Sequence, residues 1–272
     1  MTGNTLQNKG TALITGASSG IGAVYADRLA RRGYDLILVA RNRDRLVALA
    51  DRLTSETGRS VEVVAADLTD KADLGRVEAM LRQDASITLL VNNAGFGATA
   101  PLLQSDIAKM DEMIAINVGA VTRLSYAAAP GFVARGGGTI INISSIAAVA
   151  PEILNGVYAG SKAFVLTFSQ SLQHELADKG VRVQTVLPGA IATEFWGLAG
   201  RPVEHLPAQI VMSAEDMVDA ALAGLDQGEF ATVPSLPNLA DWNAFDAARR
   251  ALGPNLSRTK PAARYGIAQQ TA

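Results

Sequence analysis

The sequence predicts an α/β fold in which one doubly wound parallel sheet carries helices on both faces. Two observations lead to this expectation. Short apolar segments alternate along the chain with amphipathic helical patterns, and regular β–α–β alternation is typical of a parallel sheet. The apolar segments are also rich in β-branched residues and apolar almost throughout, as expected of strands buried on both faces. The 272 residues are 49% hydrophobic and 18% charged, which is sufficient for a large core.

Six strands are predicted from these short apolar segments. In chain order they cover residues 11–15, 35–39, 61–65, 87–91, 139–143 and 181–187. A further candidate strand lies at 229–233.

Helical patterns fill the intervals between the strands. They cover residues 21–32, 43–57, 71–83, 107–134 and 158–179. Glycines 136–138 end the fourth helix, and Ser213 with Asp216 three residues later predicts the start of another. From Gly253 onward the sequence is rich in Pro, Ala, Ser and Gln. We therefore expect one domain over residues 1–252 and a partly ordered tail over 253–272.

Composition excludes several classes of function. The net charge of -2 gives no basic field for nucleic acid or an anionic membrane. The chain has no cysteine, so disulfides, thiolate metal sites and thiol nucleophiles are excluded. Its two histidines, His174 and His205, are far apart in sequence, and we predict no metal site.

Two segments are candidates for a signal peptide or a membrane-spanning helix, and neither has the expected sequence features. Residues 1–10 are polar and do not resemble a signal peptide. The uncharged run 85–105 approaches membrane length but contains Asn92, Asn93 and Pro101, which favours a buried strand followed by a loop. We expect a cytoplasmic protein that contacts no membrane.

A glycine-rich turn follows the first strand and opens the first helix. Residues 15–22 read TGASSGIG, and glycines at 16, 20 and 22 allow a sharp turn and a close approach of ligand to backbone. Free N–H groups and the helix dipole favour a pyrophosphate there. The spacing differs from the general G-x-G-x-x-G fingerprint, and an ordinary strand-to-helix turn is the alternative interpretation.

Four motifs together resemble the short-chain dehydrogenase/reductase family. They are TGASSGIG, NNAG at 92–95, YAGSK at 158–162 and Pro188-Gly189, in the family's order, and the resemblance covers roughly residues 9–195. It implies a single Rossmann-type domain with a sheet of about seven strands, the seventh at 229–233, and a nicotinamide dinucleotide cofactor.

The resemblance also implies which residues contact that cofactor. The candidates are Gly16, Ser18, Ser19, Gly20, Ile21, Gly22, Arg41, Asp67, Leu68, Asn93, Ala94, Gly95, Tyr158, Lys162, Pro188, Gly189, Ile191 and Thr193. Without the resemblance, Asp67 would be read as a turn or helix-cap residue.

The end of the second strand favours NADPH over NADH. Folds that bind NAD usually carry an acid there, but this chain has Ala40 followed by Arg41. An arginine pairs with the 2′-phosphate that distinguishes NADPH, and Ser18 resembles a second phosphate contact. Alternatively, Arg41 is a solvated cation at the start of a helix, and the cofactor is NAD.

Tyr158 and Lys162 lie four residues apart and so share one face of a predicted helix. A free tyrosine has a pKa near 10, so proton exchange near pH 7 needs a shift of about three units, or on the order of 4 kcal/mol. A nearby ammonium and a positive nicotinamide both favour the phenolate. An exposed aromatic–aliphatic pair is the alternative for this short pattern.

The family resemblance assigns roles around this pair. It implies that Lys162 binds the ribose hydroxyls, that Asn117 holds a water linking the lysine to solvent, and that Ser145 stabilises charge on the substrate oxygen. Ser145 lies thirteen residues before Tyr158, and its neighbour Ser144 is the competing candidate. For Asn117 the alternative is a side chain bonded to a helix carbonyl.

These expectations combine into a function. We predict an NADPH-dependent oxidoreductase that reduces a ketone or aldehyde, or catalyses the reverse, with Tyr158 as proton donor or acceptor. The alternatives are an NAD-dependent secondary-alcohol dehydrogenase and a non-catalytic nucleotide-sensing or scaffold protein. Related epimerases and dehydratases usually have a different glycine spacing.

The sequence also carries expectations about substrate and assembly. Apolar residues in 147–157 and 194–212 predict a small-molecule substrate with an apolar part, and we expect 194–212 to form a mobile lid over it. Apolar positions on the helices at 107–134 and 158–179 predict a homodimer or homotetramer.

Overall fold

The structure is a computed structural model that describes residues 9–267. The expectations about residues 1–8 and about the tail beyond 267 lie outside the described residues. The chain forms two compact units, and the boundary between them falls between Pro234 and Ser235. The extent of the predicted domain, 1–252, stays a prediction.

The first unit is built on a seven-stranded sheet. The strands are β1 (Thr11–Thr15), β2 (Asp35–Ala40), β3 (Val61–Ala65), β4 (Ile87–Asn92), β5 (Gly138–Ile143), β6 (Val181–Val186) and β9 (Ala231–Thr232). Their order in the sheet is β3-β2-β1-β4-β5-β6-β9, and every neighbouring pair is parallel. The predicted seven-stranded α/β fold is confirmed. The strand order reverses between β1 and β4, and in such sheets ligands bind outside the carboxyl ends of the strands at this point.

A second, two-stranded sheet was not predicted. Its parallel strands are β7 (Ala190–Ile191) and β8 (Val211–Met212). They join the two ends of the segment that follows β6 and therefore fix where that segment leaves and rejoins the domain.

Helices cover both faces of the main sheet. They are α1 (Gly20–Arg31), α2 (Arg43–Thr57), α3 (Lys71–Gln83), α4 (Ile107–Ile114), α5 (Val121–Ala134), α6 (Gly156–Leu176), α7 (Phe195–Leu198) and α8 (Ala214–Gln227). Apolar residues of α1, α2 and α8 pack on one face with Ile14, Val91 and Ile141. Residues of α3 and α5 pack on the other face with Leu13 and Leu90. Successive strand residues thus point to opposite faces, and both faces are buried.

The single helix predicted at 107–134 is wrong in detail. A π-helical turn over Ala115–Ala120 separates α4 from α5. The turn contains Asn117, which is a poor helix former, and such turns are frequent at functional sites. Helix α6 begins at Gly156, two residues before the predicted start, because the Asn155 side chain caps it by accepting a hydrogen bond from Val157 N over 2.9 Å.

The second unit contains helix α9 (Leu239–Ala251), which the sequence analysis missed. Asn238 caps this helix through a hydrogen bond from Ala240 N, and the rings of Trp242 and Phe245 lie 5.4 Å apart on it. Two single turns follow, at Gly253–Asn255 and Ala263–Tyr265. Within residues 9–267, no helix has the length and apolar character to cross a bilayer.

Candidate active site

The glycine turn lies at the carboxyl end of β1. Gly16 and Gly20 have φ of 67° and 52°, in the left-handed region that favours glycine. A Cβ on Gly22 would lie 2.3 Å from the carbonyl oxygen of Gly16. Ser19 is the N-cap of α1, but its side chain makes no capping hydrogen bond. The first amides of α1 therefore have no side-chain cap, as a site for a phosphate requires.

The predicted ribose segment after β4 holds this turn in place. Asn93 Nδ2 donates to the carbonyl oxygens of Thr15 and Gly16 over 2.9 and 3.2 Å. Thr15 Oγ1 accepts hydrogen bonds from the amides of Asn93 and Ala94, both over 3.0 Å. Thr15 and Asn93 thus lock the carboxyl ends of β1 and β4 together, a structural role that the sequence analysis did not assign.

At the adenosine end, Arg41 follows β2 and its side chain is exposed. Asp67, beyond β3, accepts hydrogen bonds from the amide and hydroxyl of Thr69 over 2.9 and 2.7 Å. These bonds from Thr69, with a smaller effect of the Arg41 charge, hold the pKa of Asp67 below its usual range. The side chain of Leu68 packs into the core, so any cofactor contact it makes would use its backbone.

Tyr158 and Lys162 occupy successive turns at the start of α6, and both side chains are buried. Lys162 Nζ lies 5.8 Å from the centre of the Tyr158 ring and donates to the carbonyl oxygen of Ile143 over 2.9 Å. The Tyr158 hydroxyl is hydrogen-bonded to Ser145. Ser144 Oγ instead donates to the carbonyl oxygen of Lys162 over 2.7 Å. The geometry therefore favours Ser145 over Ser144 as the serine beside the tyrosine.

The ionisation of this pair differs from the simple expectation. Burial raises the pKa of Tyr158 to about 12, although the hydrogen bond to Ser145 acts in the opposite direction. Burial lowers the pKa of Lys162 to about 8. Both charged forms lose hydration in the closed site, and this cost outweighs the expected help of the ammonium to the phenolate. A positive group brought to the site would act against the effect of burial on the tyrosine pKa.

Asn117 lies in the π-helical turn and is hydrogen-bonded to α6, the helix that carries Tyr158 and Lys162. Its Nδ2 donates to the Phe96 carbonyl oxygen and to Ser161 Oγ, both over 3.0 Å, and its Oδ1 accepts from Phe96 N over 3.2 Å. These partners lie outside its own helix, so the alternative of a helix-carbonyl bond does not hold. A Cβ on Gly95 would lie 2.6 Å from Asn117 Oδ1, so glycine is needed there. Ser161 was missed by the sequence analysis.

Buried polar side chains of α5, β4, β5 and α6 form a continuous hydrogen-bonded row. Asn92 Nδ2 donates to Ser125 Oγ over 3.1 Å and to Asn142 Oδ1 over 2.8 Å, and Asn142 Nδ2 donates to Ser169 Oγ over 2.9 Å. The row links α5 to α6 through the ends of β4 and β5. It therefore ties together the helical segments from which Asn117, Tyr158 and Lys162 project.

The predicted nicotinamide loop follows β6. The Pro188 carbonyl oxygen accepts from Ile146 N over 3.1 Å, which holds Pro188 and Gly189 beside the Ser145 turn. Ile191 is buried in the core. The side chain of Thr193 lies over the start of α1, since a Cβ on Gly20 would be 3.1 Å from Thr193 Cγ2. The loop thus reaches from the cluster around Ser145 and Tyr158 to the glycine turn.

The segment after this loop begins with an unpredicted ion pair. Arg45, on α2, donates two hydrogen bonds to the Glu194 carboxylate over 2.7 and 3.1 Å. The Arg45 guanidinium holds the pKa of Glu194 below its usual range, and a hydrogen bond from Ser19 adds to this. The pair is 149 residues apart in sequence, so no local pattern could have predicted it.

Comparison with known proteins assigns the family. The short chain dehydrogenase family model matches residues 10–201. The chain belongs to the short-chain dehydrogenase/reductase family of oxidoreductases.

Two solved structures are similar over nearly the whole chain. A short-chain dehydrogenase from Sphingobium yanoikuyae in complex with NADPH is 49% identical, with a TM-score of 0.91, over 94% of this chain and 99% of that one. The bulky-bulky ketone specific alcohol dehydrogenase from Comamonas testosteroni is 44% identical, with a TM-score of 0.88, over 95% and 99%.

A curated relative matches over a shorter length. The very-long-chain 3-oxoacyl-CoA reductase of Anas platyrhynchos is 37% identical over 189 residues, which is 68% of this chain. The match spans 60% of the length of that reductase.

Proposed function

We propose that this chain is an NADPH-dependent oxidoreductase that interconverts a ketone or aldehyde and the corresponding alcohol. The observation that carries the proposal is the buried contact of Tyr158 with Ser145 and Lys162, near the nicotinamide loop. The hydroxyls of Tyr158 and Ser145 are hydrogen-bonded to each other, so they lie close enough for both to donate to a carbonyl oxygen that replaces this bond.

The residues present fit a dinucleotide along the carboxyl edge of the sheet. The turn at Gly16 and Gly22 leaves no room for a Cβ, and the first amides of α1 have no side-chain cap. A pyrophosphate would be held there, a ribose near Lys162, and a carboxamide by the loop from Pro188 to Thr193. When bound, the nicotinamide supplies or accepts the hydride.

The preference for NADPH rests on Arg41. Its side chain is exposed and makes no hydrogen bond or ion pair with another residue of the described range 9–267, and Ala40 provides no carboxylate to repel a phosphate. The similarity to a structure in complex with NADPH supports the same choice.

Each side chain of this cluster has its own role in the reaction. Ser145 orients the substrate oxygen, and the Tyr158 hydroxyl donates a proton to it during reduction. A proton from solvent then returns to Tyr158 through Lys162 and a water molecule that Asn117 holds. In oxidation Tyr158 accepts the proton. Burial raises the pKa of Tyr158 to about 12, so in the free protein the hydroxyl carries the proton that it donates in reduction.

The substrate proposed here carries an apolar part. Phe96, Leu154 and Phe195 pack around the buried Tyr158, so the surroundings of the reacting carbon are apolar. Similarity to an alcohol dehydrogenase specific for bulky-bulky ketones points in the same direction.

A panel of ketones and aldehydes tests the proposal. Purified protein is assayed by the absorbance of NADPH and, separately, of NADH, in both reaction directions. We expect reduction of apolar ketones with a higher kcat/KM for NADPH. No turnover of any compound by protein that binds NADPH would support the non-catalytic alternative, and a higher kcat/KM with NADH would support an NAD-dependent dehydrogenase.

A further inference from the structure

The side chain of Phe195 lies directly against the proposed proton donor. Its ring centroid is 5.8 Å from that of Tyr158, with the ring planes inclined at 54°. On its other side it meets the Trp196 ring edge-on at 5.5 Å. Trp196 is buried, and its Nε1 donates to the Ile191 carbonyl oxygen over 3.0 Å. The Phe195 ring is therefore supported from behind and held beside the tyrosine.

The position of this ring depends on the absence of a side chain at Gly97. A Cβ on Gly97 would lie 2.4 Å from Phe195 Cζ and 3.2 Å from Tyr158 Cδ2. Gly97 does not have a positive φ, so an alanine there is limited by space and not by backbone strain. The atom it would strike first is the tip of a side chain that can rotate away.

The two backbone segments cannot simply move apart to make room. Thr99 donates from both its amide and its hydroxyl to the Ala199 carbonyl oxygen, over 3.0 and 2.8 Å. These bonds tie the loop after β4 to the end of α7. A methyl group at position 97 must therefore displace the Phe195 ring itself.

We propose that Phe195 is a specificity-determining residue and that Gly97 sets its position. The ring forms a wall beside Tyr158 that sets the upper size of one of the two substituents on the carbonyl carbon. This inference rests on the proposed carbonyl reduction. It assigns to Gly97 an effect on substrate choice that acts only through Phe195.

A double-mutant cycle tests the inference, with NADPH, on acetophenone and butyrophenone, which differ in the length of one substituent. The quantity measured is the ratio of kcat/KM for butyrophenone to that for acetophenone. We expect Phe195→Ala to raise this ratio at least tenfold. Gly97→Ala should raise it in the wild-type background and leave it unchanged in the Phe195→Ala background, because no ring remains to be displaced.

Two further variants control for indirect effects. Gly197→Ala adds the same methyl group on α7, where nothing lies within 4 Å of the new Cβ, and it should leave the ratio unchanged. Phe195→Leu keeps an apolar side chain and serves if Phe195→Ala does not fold.

The outcomes separate this inference from the proposed function. If the wild type reduces no ketone, the proposed function fails. If the wild type is active and removal of the ring leaves the ratio unchanged or lowers it, the inference is wrong. It is equally wrong if Gly97→Ala shifts the ratio by the same factor with and without Phe195.

Discussion

Arg45 and Glu194 form a two-hydrogen-bond ion pair that joins α2 to the first residue of the predicted lid. Two more anchors follow within five residues, from Trp196 Nε1 to Ile191 O and from Thr99 to Ala199 O. Beyond them, residues 201–210 form only single helical turns and are mostly exposed. The segment 194–212 is thus anchored at its beginning and, through β8 at Val211–Met212, at its end, so 201–210 is the part that we expect to move.

We expect the exchange rates of backbone amides in the predicted lid to differ before and after Ala199. Amides of residues 201–210 should exchange rapidly in the free protein and become protected when NADPH and a ketone inhibitor are added, as expected of a loop that closes over substrate. Amides of 195–199 should already be slow. The peptide covering α3, remote from the site, is the control. Protection of 201–210 in the free protein that ligands do not change would rule out a lid.

Replacing Arg41 with Asp should change the cofactor preference. We expect the KM for NADPH to rise far more than that for NADH, because loss of a charged phosphate contact costs roughly 2 to 4 kcal/mol. Arg43→Asp makes the same charge change two residues away, also at an exposed position, and should affect NADPH much less. Equal effects of Arg41→Asp on the two cofactors would contradict the assignment.

Tyr158→Phe should abolish proton transfer while keeping the ring that packs on Phe195. Turnover should fall at least a hundredfold, within the ~10²–10⁴-fold range of acid–base catalysis. Binding of NADPH, followed by fluorescence titration, and the unfolding midpoint should stay close to those of the wild type. Near-normal carbonyl reduction by this variant would refute the role of Tyr158.

The buried ammonium of Lys162 should make stability depend on pH. Its pKa falls from 10.5 to about 8 on folding, so between these values the unfolded chain binds more protons and stability rises with pH. At pH 7 the shift corresponds to a cost of about 3 kcal/mol. The free energy of unfolding of the wild type, relative to Lys162→Met, should therefore rise between pH 8 and 10.5.

Urea unfolding of both proteins at pH 7 and pH 10 measures this difference. The ionisation of Tyr158 is common to the two proteins and largely cancels. A difference in unfolding free energy that is the same at both pH values would show that Lys162 keeps its ordinary pKa in the folded state.

The proposed homodimer or homotetramer should depend on an aromatic row on α5 and α6. Tyr126 and Phe164 each stack on Phe168, with centroids 6.3 and 5.6 Å apart, and Tyr126 is 68% exposed. We expect light scattering at micromolar concentration to give two or four times the 28.4 kDa chain mass, and Tyr126→Asp to lower it. A monomeric mass for the wild type would contradict assembly.

The fold was largely predictable because its signals are local. Strand segments such as 35–39 are apolar over their whole length, and the turn at Gly16 to Gly22 needs glycine for steric reasons. Helix α9 also carried a local signal, in the cap at Asn238 and the spacing of Leu239, Trp242 and Phe245, but its short apolar face was not recognised.

The remaining features depend on contacts that no local pattern encodes. Arg45 pairs with Glu194, and Phe195 packs in the space left by the missing side chain of Gly97, only when distant segments of the chain meet. The pKa of Lys162 likewise follows from the burial of its side chain, which the Y-x-x-x-K pattern does not specify. The sequence motifs could therefore name candidate site residues, but they could not predict the ionisation of Tyr158 and Lys162.

The buried amide pair of Asn92 and Asn142 has a consequence for how the chain folds. The two residues face each other in register on β4 and β5. A slip of one residue would turn Asn142 to the opposite face and set an isoleucine beside Asn92, leaving buried amide groups unsatisfied at a cost of about 1–3 kcal/mol each. Aliphatic strands alone would pack almost equally well in several alignments. The amide pair thus makes misaligned pairings of β4 and β5 unstable and favours a single native alignment.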